Sequence, residues 1–181
     1  MSSGPILNAL RKVEPDATEF QHSGGPKYKS SSGKTYFCKK GGPSDYDQFN
    51  GEAESLKAMT IAAPGLCPRL LYFAEDPEEP RSPVMISEFM ELNSLSSASS
   101  ATLARRLALE LHDPEQSRAG SGGRFGFGCV TYCGVTRLEN GWHDTWDEAF
   151  SSLIRGLLNG IKSKGSGFDE LCRLGNQVVS T

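Results

Sequence analysis

A chain of 181 residues, 37% hydrophobic and 23% charged, has the length for one domain or a lobe and a half, while 20 glycines and 10 prolines predict generous loops. A net charge of −3 with no basic stripe excludes bulk electrostatic binding of nucleic acid or of an anionic membrane surface. Five scattered cysteines without a Cys-x-x-Cys pair argue against a disulfide framework or zinc site. With no apolar signal core and no run of membrane-spanning length, the expected compartment is the cytoplasm.

Ile6, Leu7, Leu10 and Val13 are spaced along one face of an opening helix, which Pro15 ends. Residues 16 to 34 are polar and rich in glycine and serine, with Gly24-Gly25-Pro26 as a turn between two strands. Such a loop can drape backbone N–H groups over phosphates. It lacks the spaced glycines of a phosphate-binding loop, so a plain hairpin is the stronger reading. Lys34 to Lys40 alternates aromatic and polar residues as a half-buried strand does, and Gly41, Gly42 and Pro43 break it. Ser44 and Asp47 resemble a capping box for a helix that runs to Met59, with Phe49, Ala53 and Leu56 on one face and Glu52 beside them. A strand lysine and a glutamate on the next helix can form the ion pair that kinase-like nucleotide sites require. The same residues also read as a solvated edge charge and a surface glutamate. Alternation favours Lys39 over Lys40 as the lysine of such a pair.

Pro64, Gly65 and Pro68 mark a connection to the apolar strand Leu70 to Ala74. Glu75 to Pro83, with four acidic residues and three prolines, predicts an exposed hairpin tip, and Val84 to Met90 a buried strand. Five strand-like segments and one helix between them describe a small antiparallel sheet with a helix packed on it. A polar low-complexity stretch, residues 93 to 101, leads into a helix from Thr102 to His112. Its inner face carries Leu103, Leu107 and Leu111, with Arg105 and Arg106 on the other side. A lobe boundary is expected between Glu91 and Ser97.

Residues 113 to 124 form a Gly/Ser-rich loop. Arg124-Phe125-Gly126-Phe127-Gly128 has no third glycine at the dinucleotide spacing, so it predicts a packed turn around two phenylalanines. Thr145 to Glu148 is a complete capping box, followed by Trp146, Phe150, Leu153, Ile154, Leu157, Leu158 and Ile161 on one wide helix face. A last helix from Phe168 is expected to bury Leu171, Cys172 and Val178, with Leu174 at the margin.

Several of these stretches together resemble the fructosamine-3-kinase-like (ketosamine-3-kinase) family, within the kinase-like small-molecule kinases that include the aminoglycoside phosphotransferases. Phe37-Cys38-Lys39 is similar to its Phe-Val-Lys strand. Phe49 to Leu56 is similar to its Phe-x-Gly-Glu-x-x-Ser-Leu helix, Ser87-Glu88-Phe89 to its hinge, and Ser94-Leu95 to the Ser-Leu that follows. Phe125-Gly126-Phe127, Thr131, Gly134, Asn140, Trp142, Trp146 and Phe150 reproduce a family spacing without a gap.

The resemblance implies an α+β, protein-kinase-like fold: an N-lobe over residues 1–92, with a small antiparallel sheet and one packed helix, and a partial helical C-lobe over 93–181. It implies ATP-dependent phosphorylation of the 3-hydroxyl of ribulosamine or fructosamine adducts. These are carried by lysines of glycated proteins or by small ketosamines, and phosphorylation is a step in deglycation. Lys39 would hold the phosphates and Glu52 would orient it. Glu88, Phe89 and Met90 would offer backbone groups to adenine, and Gly24 and Gly25 would lie near the phosphates. The aromatic series and His112 would be packing residues.

The family's His-Gly-Asp segment, which supplies the base and one magnesium ligand, and the later metal-binding Asp do not occur in this sequence. The His-Asp pairs are His112-Asp113 and His143-Asp144. The sequence therefore assigns no catalytic and no metal-binding residue, and ATP and Mg2+ as cofactors follow from the resemblance alone. Read this way the chain is C-terminally truncated, with little or no activity of its own. The alternative is a non-catalytic kinase-like module that binds a nucleotide or a protein.

Overall fold

The computed structural model describes residues 4–113, 115, 122–165 and 167–179. They fall into two compact units, residues 1–117 and 118–181. No helix among the described residues is long and apolar enough to cross a membrane.

The first unit opens with α1 (Pro5–Val13), led by a proline whose fixed φ suits a helix start. β1 (Phe20–His22), β2 (Lys27–Ser30) and β3 (Thr35–Lys40) follow, then a 3-10 turn (Pro43–Asp45) and α2 (Tyr46–Ala62). β4 (Leu70–Asp76) and β5 (Glu79–Glu88) complete an antiparallel sheet of order β1-β2-β3-β5-β4. Alternation along β3 sends Tyr36 and Cys38 to one face. There they are buried with Val84 and Ile86 of β5 against Ala9 and Leu10 of α1. Met85 points the other way, into Ala53 and Leu56 of α2, with Phe49, Leu70 and Phe73 around it. The sheet thus carries a helix on each face, where the sequence predicted one.

Glu14, directly after α1, fastens that helix to the sheet. Its carboxylate is buried, accepts hydrogen bonds from Ser32 Oγ (2.6 Å) and Tyr36 Oη (2.8 Å), and pairs with Lys34 Nζ (3.0 Å). The Ser32 bond and then those of Tyr36 and Lys34 outweigh the opposing effect of burial, and hold the carboxyl down at about 2, against an ordinary 4.5. A depressed folded-state value means stability that is fully present above pH 4.5 and is lost as pH falls from about 4.5 to about 2. Glu14→Gln is expected to cost about 1–3 kcal/mol at neutral pH. Urea titrations should show its deficit against the wild type shrinking across that acid window; a constant deficit would count against this assignment. On the same strand, burial pushes the Cys38 thiol up to about 12, so it serves as packing rather than as a nucleophile.

Three expectations for this unit need correction. The Ser44–Asp47 box does not form. Instead the Asp45 carboxylate accepts from the Gly42 N–H (2.9 Å) to close the 3-10 turn, and Asp47 pairs with Arg81 (3.3 Å). Glu75 to Pro83 is not an open tip either. The turn is only Pro77-Glu78, Ser82 and Pro83 are fully buried, and Asp76 is buried beneath Lys40 Nζ (2.8 Å). Prolines are accommodated there because β3 stops pairing at Lys40–Val84, and Pro83 needs only to accept, from the Gly41 N–H (3.0 Å). Finally, α3 begins at Ser97, five residues earlier than expected, because Ser96 and Ser99 cap each other reciprocally (2.8 and 3.1 Å). It ends at Arg106 and continues as a π-helical stretch, Leu107–Leu111. Arg106 turns inward to the Pro64 carbonyl (2.8 Å) and to Glu110, while His112, expected to pack, is exposed.

Within this hairpin Arg81 has φ +62°, the one positive value for a non-glycine among the described residues, beside a register shift at Glu75/Asp76. That conformation costs a residue with a Cβ about 1–2 kcal/mol.

The second unit holds the hairpin β6 (Thr131–Cys133) and β7 (Thr136–Leu138), then α4 (Trp146–Lys162) and α5 (Asp169–Val178). Phe125 and His143 exchange backbone hydrogen bonds (2.8 and 2.7 Å), and the Phe127 N–H donates to the Asn140 carbonyl (2.7 Å). The Asn140 carboxamide, oriented to satisfy both its ends, accepts from Thr131 Oγ1 (2.9 Å) and donates to the carbonyls of Leu138 (2.9 Å) and Cys129 (3.1 Å). Trp146 lies edge-on to Phe125 (6.3 Å) and stacks on Phe150 (5.7 Å). Thr145 caps α4 by accepting from the Glu148 N–H (3.4 Å). α5 meets α4 where Gly175 admits Leu158, and of its expected core residues only Cys172 is buried; Leu171, Leu174 and Val178 are exposed. Among the described residues of this unit α5 packs on α4, and of its apolar stripe the line at Cys172 is covered.

Candidate functional site

The residues singled out for nucleotide binding all lie in the first unit, around β3. Lys39 is the last residue but one of that strand, and the chain needs only Gly41 to Asp45 to turn into α2. The turn is this tight because Gly41 has no side chain: a Cβ there would lie 2.8 Å from that of Asp45 and 3.0 Å from the Phe49 ring. α2 consequently lies against the Lys39 side of the strand. Glu52, almost two turns in, forms an ion pair with Lys39, and the Lys39 ammonium lies 4.8 Å from the centroid of the Phe49 ring.

Both members of the pair are partly exposed, with side chains 27% and 40% accessible. Such a pair adds no more than about 1 kcal/mol to stability. Folding alone gives little reason for it, and the ammonium remains able to meet an anion.

Lys40 is committed elsewhere. Its Nζ contacts Asp76 (2.8 Å) and Glu79 (3.3 Å), and the Asp76 hydrogen bond is the main reason its pKa is raised. The Asp76 carboxyl is lowered in turn, first by Lys40 and then by the Glu78 N–H. The structure thereby separates two adjacent lysines that sequence alone distinguished only by alternation.

Gly24 and Gly25 form the β1–β2 turn with φ of +92° and +53°, values that suit glycine. The Cys38 N–H donates to the Pro26 carbonyl (2.7 Å), which brings this turn beside the Lys39 end of β3. The segment is a hairpin, as expected.

At the other end of the strand, Tyr36 faces Glu88 and Lys39 faces Met85. Three residues of strand, about 10 Å, therefore separate the register of Lys39 from that of Glu88. The Glu88 carboxylate is held by Arg69 (3.0 Å), and its N–H donates to the Arg69 carbonyl (3.0 Å). Phe89 lies beneath Lys27 Nζ, 4.5 Å from its ring centroid, and Met90 is exposed. Lys39 and Glu52 are in contact, the turn that holds Gly24 and Gly25 is tied to β3 through Pro26 and Cys38, and Glu88 lies three strand positions from Lys39 in register.

Three features escaped the sequence. Phe49 under the Lys39 ammonium had read only as helix core. Lys27 over Phe89 depends on strand register. Arg81, whose guanidinium lies 5.0 Å from the Tyr46 ring centroid and pairs with Asp47 at the start of α2, gave no local signal. Among the described residues no group of three or more His, Cys, Asp or Glu converges as a metal site requires, so these residues do not by themselves fit the magnesium ion that the resemblance implies.

A family model described as fructosamine kinase matches residues 21–179. No curated protein matches. Among solved structures the chain is similar to a protein from Haemophilus somnus 129PT, provisionally described as a fructosamine-3-kinase, at 18% identity and a TM-score of 0.61. The match covers 98% of this chain and 62% of that one, so the chain spans under two thirds of that protein's length. At that identity the likeness speaks for the fold, which is α+β and kinase-like. The chain belongs to the fructosamine kinase family.

Proposed function

We propose that this chain is the ATP-binding part of a ketosamine 3-kinase. The Lys39–Glu52 pair beside the Gly24-Gly25 turn carries this reading. Lys39 contacts the phosphates, Glu52 holds it in place, backbone N–H groups of the glycine turn face the same anion, and the backbone of Glu88 to Met90 borders the base. ATP, when bound, supplies the transferable phosphoryl group; the residues of this chain bind and orient it. The acceptor is the 3-hydroxyl of a ribulosamine or fructosamine, on a glycated protein or a small amine. Residues 1–92 act as the nucleotide lobe and 93–181 as part of a helical lobe. Magnesium is the family's cofactor, and the 181 residues contain no His-Gly-Asp segment to hold it. That lack favours a second description of the same chain, as a module that binds nucleotide without transferring phosphate.

Thermal unfolding with ATP, with and without magnesium, tests the reading. The wild type is expected to be stabilised in proportion to ligand concentration. A charge-assisted contact to phosphate is worth about 1.5–3 kcal/mol, so Lys39→Ala should weaken ATP roughly ten- to a hundredfold. Lys40→Ala should instead lower the unfolding midpoint of the free protein. An equal ATP shift in wild type and Lys39→Ala would rule out binding through this site.

A further inference from the structure

We propose that Arg81, the third residue of β5, is a positioning residue that holds the first turn of α2 so that Glu52 meets Lys39; the functional weight of this rests on the nucleotide reading above. Three observations converge on it. Arg81 adopts a left-handed backbone that any glycine would take more easily, yet its N–H is fixed by the Glu75 carboxylate (2.8 Å). Its guanidinium lies over the Tyr46 ring (5.0 Å) and reaches Asp47 (3.3 Å), the first two residues of α2. Tyr46 also meets Phe73 of β4 (6.0 Å), so the start of the helix contacts both strand and arginine.

The hairpin that carries Arg81 is itself anchored to β3. Asp76 and Glu79 both hold Lys40, the residue after Lys39. One hairpin therefore grips both halves of the ion pair from outside. It holds the strand through Lys40 and the helix through Tyr46 and Asp47. α2 follows a tight glycine-containing turn and has no side-chain cap of its own at Asp45, so its first turn depends on such external contacts. An exposed guanidinium–aromatic stack and an exposed ion pair each shift an equilibrium by no more than about fivefold. Together they predict an effect of roughly three- to tenfold, enough to bias a helix turn without deciding whether the unit folds.

The test uses Arg81→Gly in the whole 181-residue chain, because glycine removes the side chain while relieving the backbone conformation. Hydrogen exchange of the amides of Asn50 to Ala53, whose helical acceptors are the carbonyls of Tyr46 to Phe49, should accelerate three- to tenfold, with β3 and β5 amides unchanged. ATP affinity should fall three- to tenfold in the wild-type background and not at all further in Glu52→Gln. Unchanged exchange at the start of α2 overturns the proposal, as does an equal affinity loss in both backgrounds, since Arg81 would then act other than through the pair. A wild type that binds no ATP overturns the nucleotide reading instead, and the exchange result still decides whether Arg81 holds α2.

Discussion

Residues 1–181, purified and supplied with ATP, magnesium and a ribulosamine, are expected to transfer phosphate at least about 10⁴-fold more slowly than a fructosamine kinase that carries a His-Gly-Asp segment. A positioned general base contributes about 10²–10⁴ in rate, and electrostatic stabilisation of the developing charge a comparable or larger factor. The family's His-Gly-Asp segment, which would supply these roles, does not occur in this sequence. The three histidines are His22, His112 and His143. His22 bonds the Gly25 carbonyl (2.7 Å) and lies tilted against Tyr28 (5.0 Å), His112 is exposed at a helix end, and His143 pairs with Phe125 through its backbone. In the proposed reading Lys39 orients phosphate, but a lysine that binds ground state and transition state alike raises affinity more than turnover. Turnover within a hundredfold of the comparison enzyme, abolished by Lys39→Ala, would show that this chain performs the chemistry without a His-Gly-Asp base.

The largest stability effect is expected at Gly126. Its φ is +135°, and a Cβ placed there would lie 2.1 Å from the Gly141 carbonyl oxygen and 3.0 Å from Trp142 Cα. Those are backbone atoms, held by the Phe125–His143 and Phe127–Asn140 hydrogen bonds on either side, and they cannot step aside without breaking those bonds. Strain and overpacking together put the cost of Gly126→Ala at about 3 kcal/mol or more. In a unit this small that is a large part of the available stability. Gly128 makes the natural control: a Cβ there meets only the Trp142 ring at 3.9 Å. The two tryptophans of the chain, Trp142 and Trp146, both belong to residues 118–181, so indole fluorescence follows this unit alone. Gly126→Ala should show a lost or early fluorescence transition and Gly128→Ala one close to wild type. Identical transitions for the two variants would refute the steric account.

What could be read in advance was local. The spacing of Ile6, Leu7, Leu10 and Val13, the alternation ending at Lys39 and the threonine cap of α4 each depend on neighbours a few residues away, and each element formed. Lys39 and Glu52 were legible together because five residues separate strand from helix, leaving few ways to arrange them. Several misses share a source in contacts distant in sequence. Glu75 to Pro83 looked exposed because acids and prolines usually are, but Lys40, thirty-six residues earlier, draws Asp76 inward. Arg81 finds Asp47 across thirty-four residues, a meeting set by hairpin register that no window of sequence displays. On α5 periodicity marked an apolar stripe correctly, yet a stripe does not state what covers it, and only the line at Cys172 is covered by α4.

Strand β3 has a division of labour that follows from its pleat. Tyr36 and Cys38 face α1 and the Glu14 latch, and thereby serve cohesion; Phe37 and Lys39 face the opposite side and, in the proposed reading, serve the nucleotide. The two duties are interleaved at single-residue pitch, so neither can be altered by sliding the strand. Losing one residue from within it would hand Lys40 to Glu52 and turn a tyrosine and a thiol out of the core in the same movement. Damage to the ligand side by such a slip is therefore inseparable from damage to the fold, whereas damage by substitution can be confined to one side.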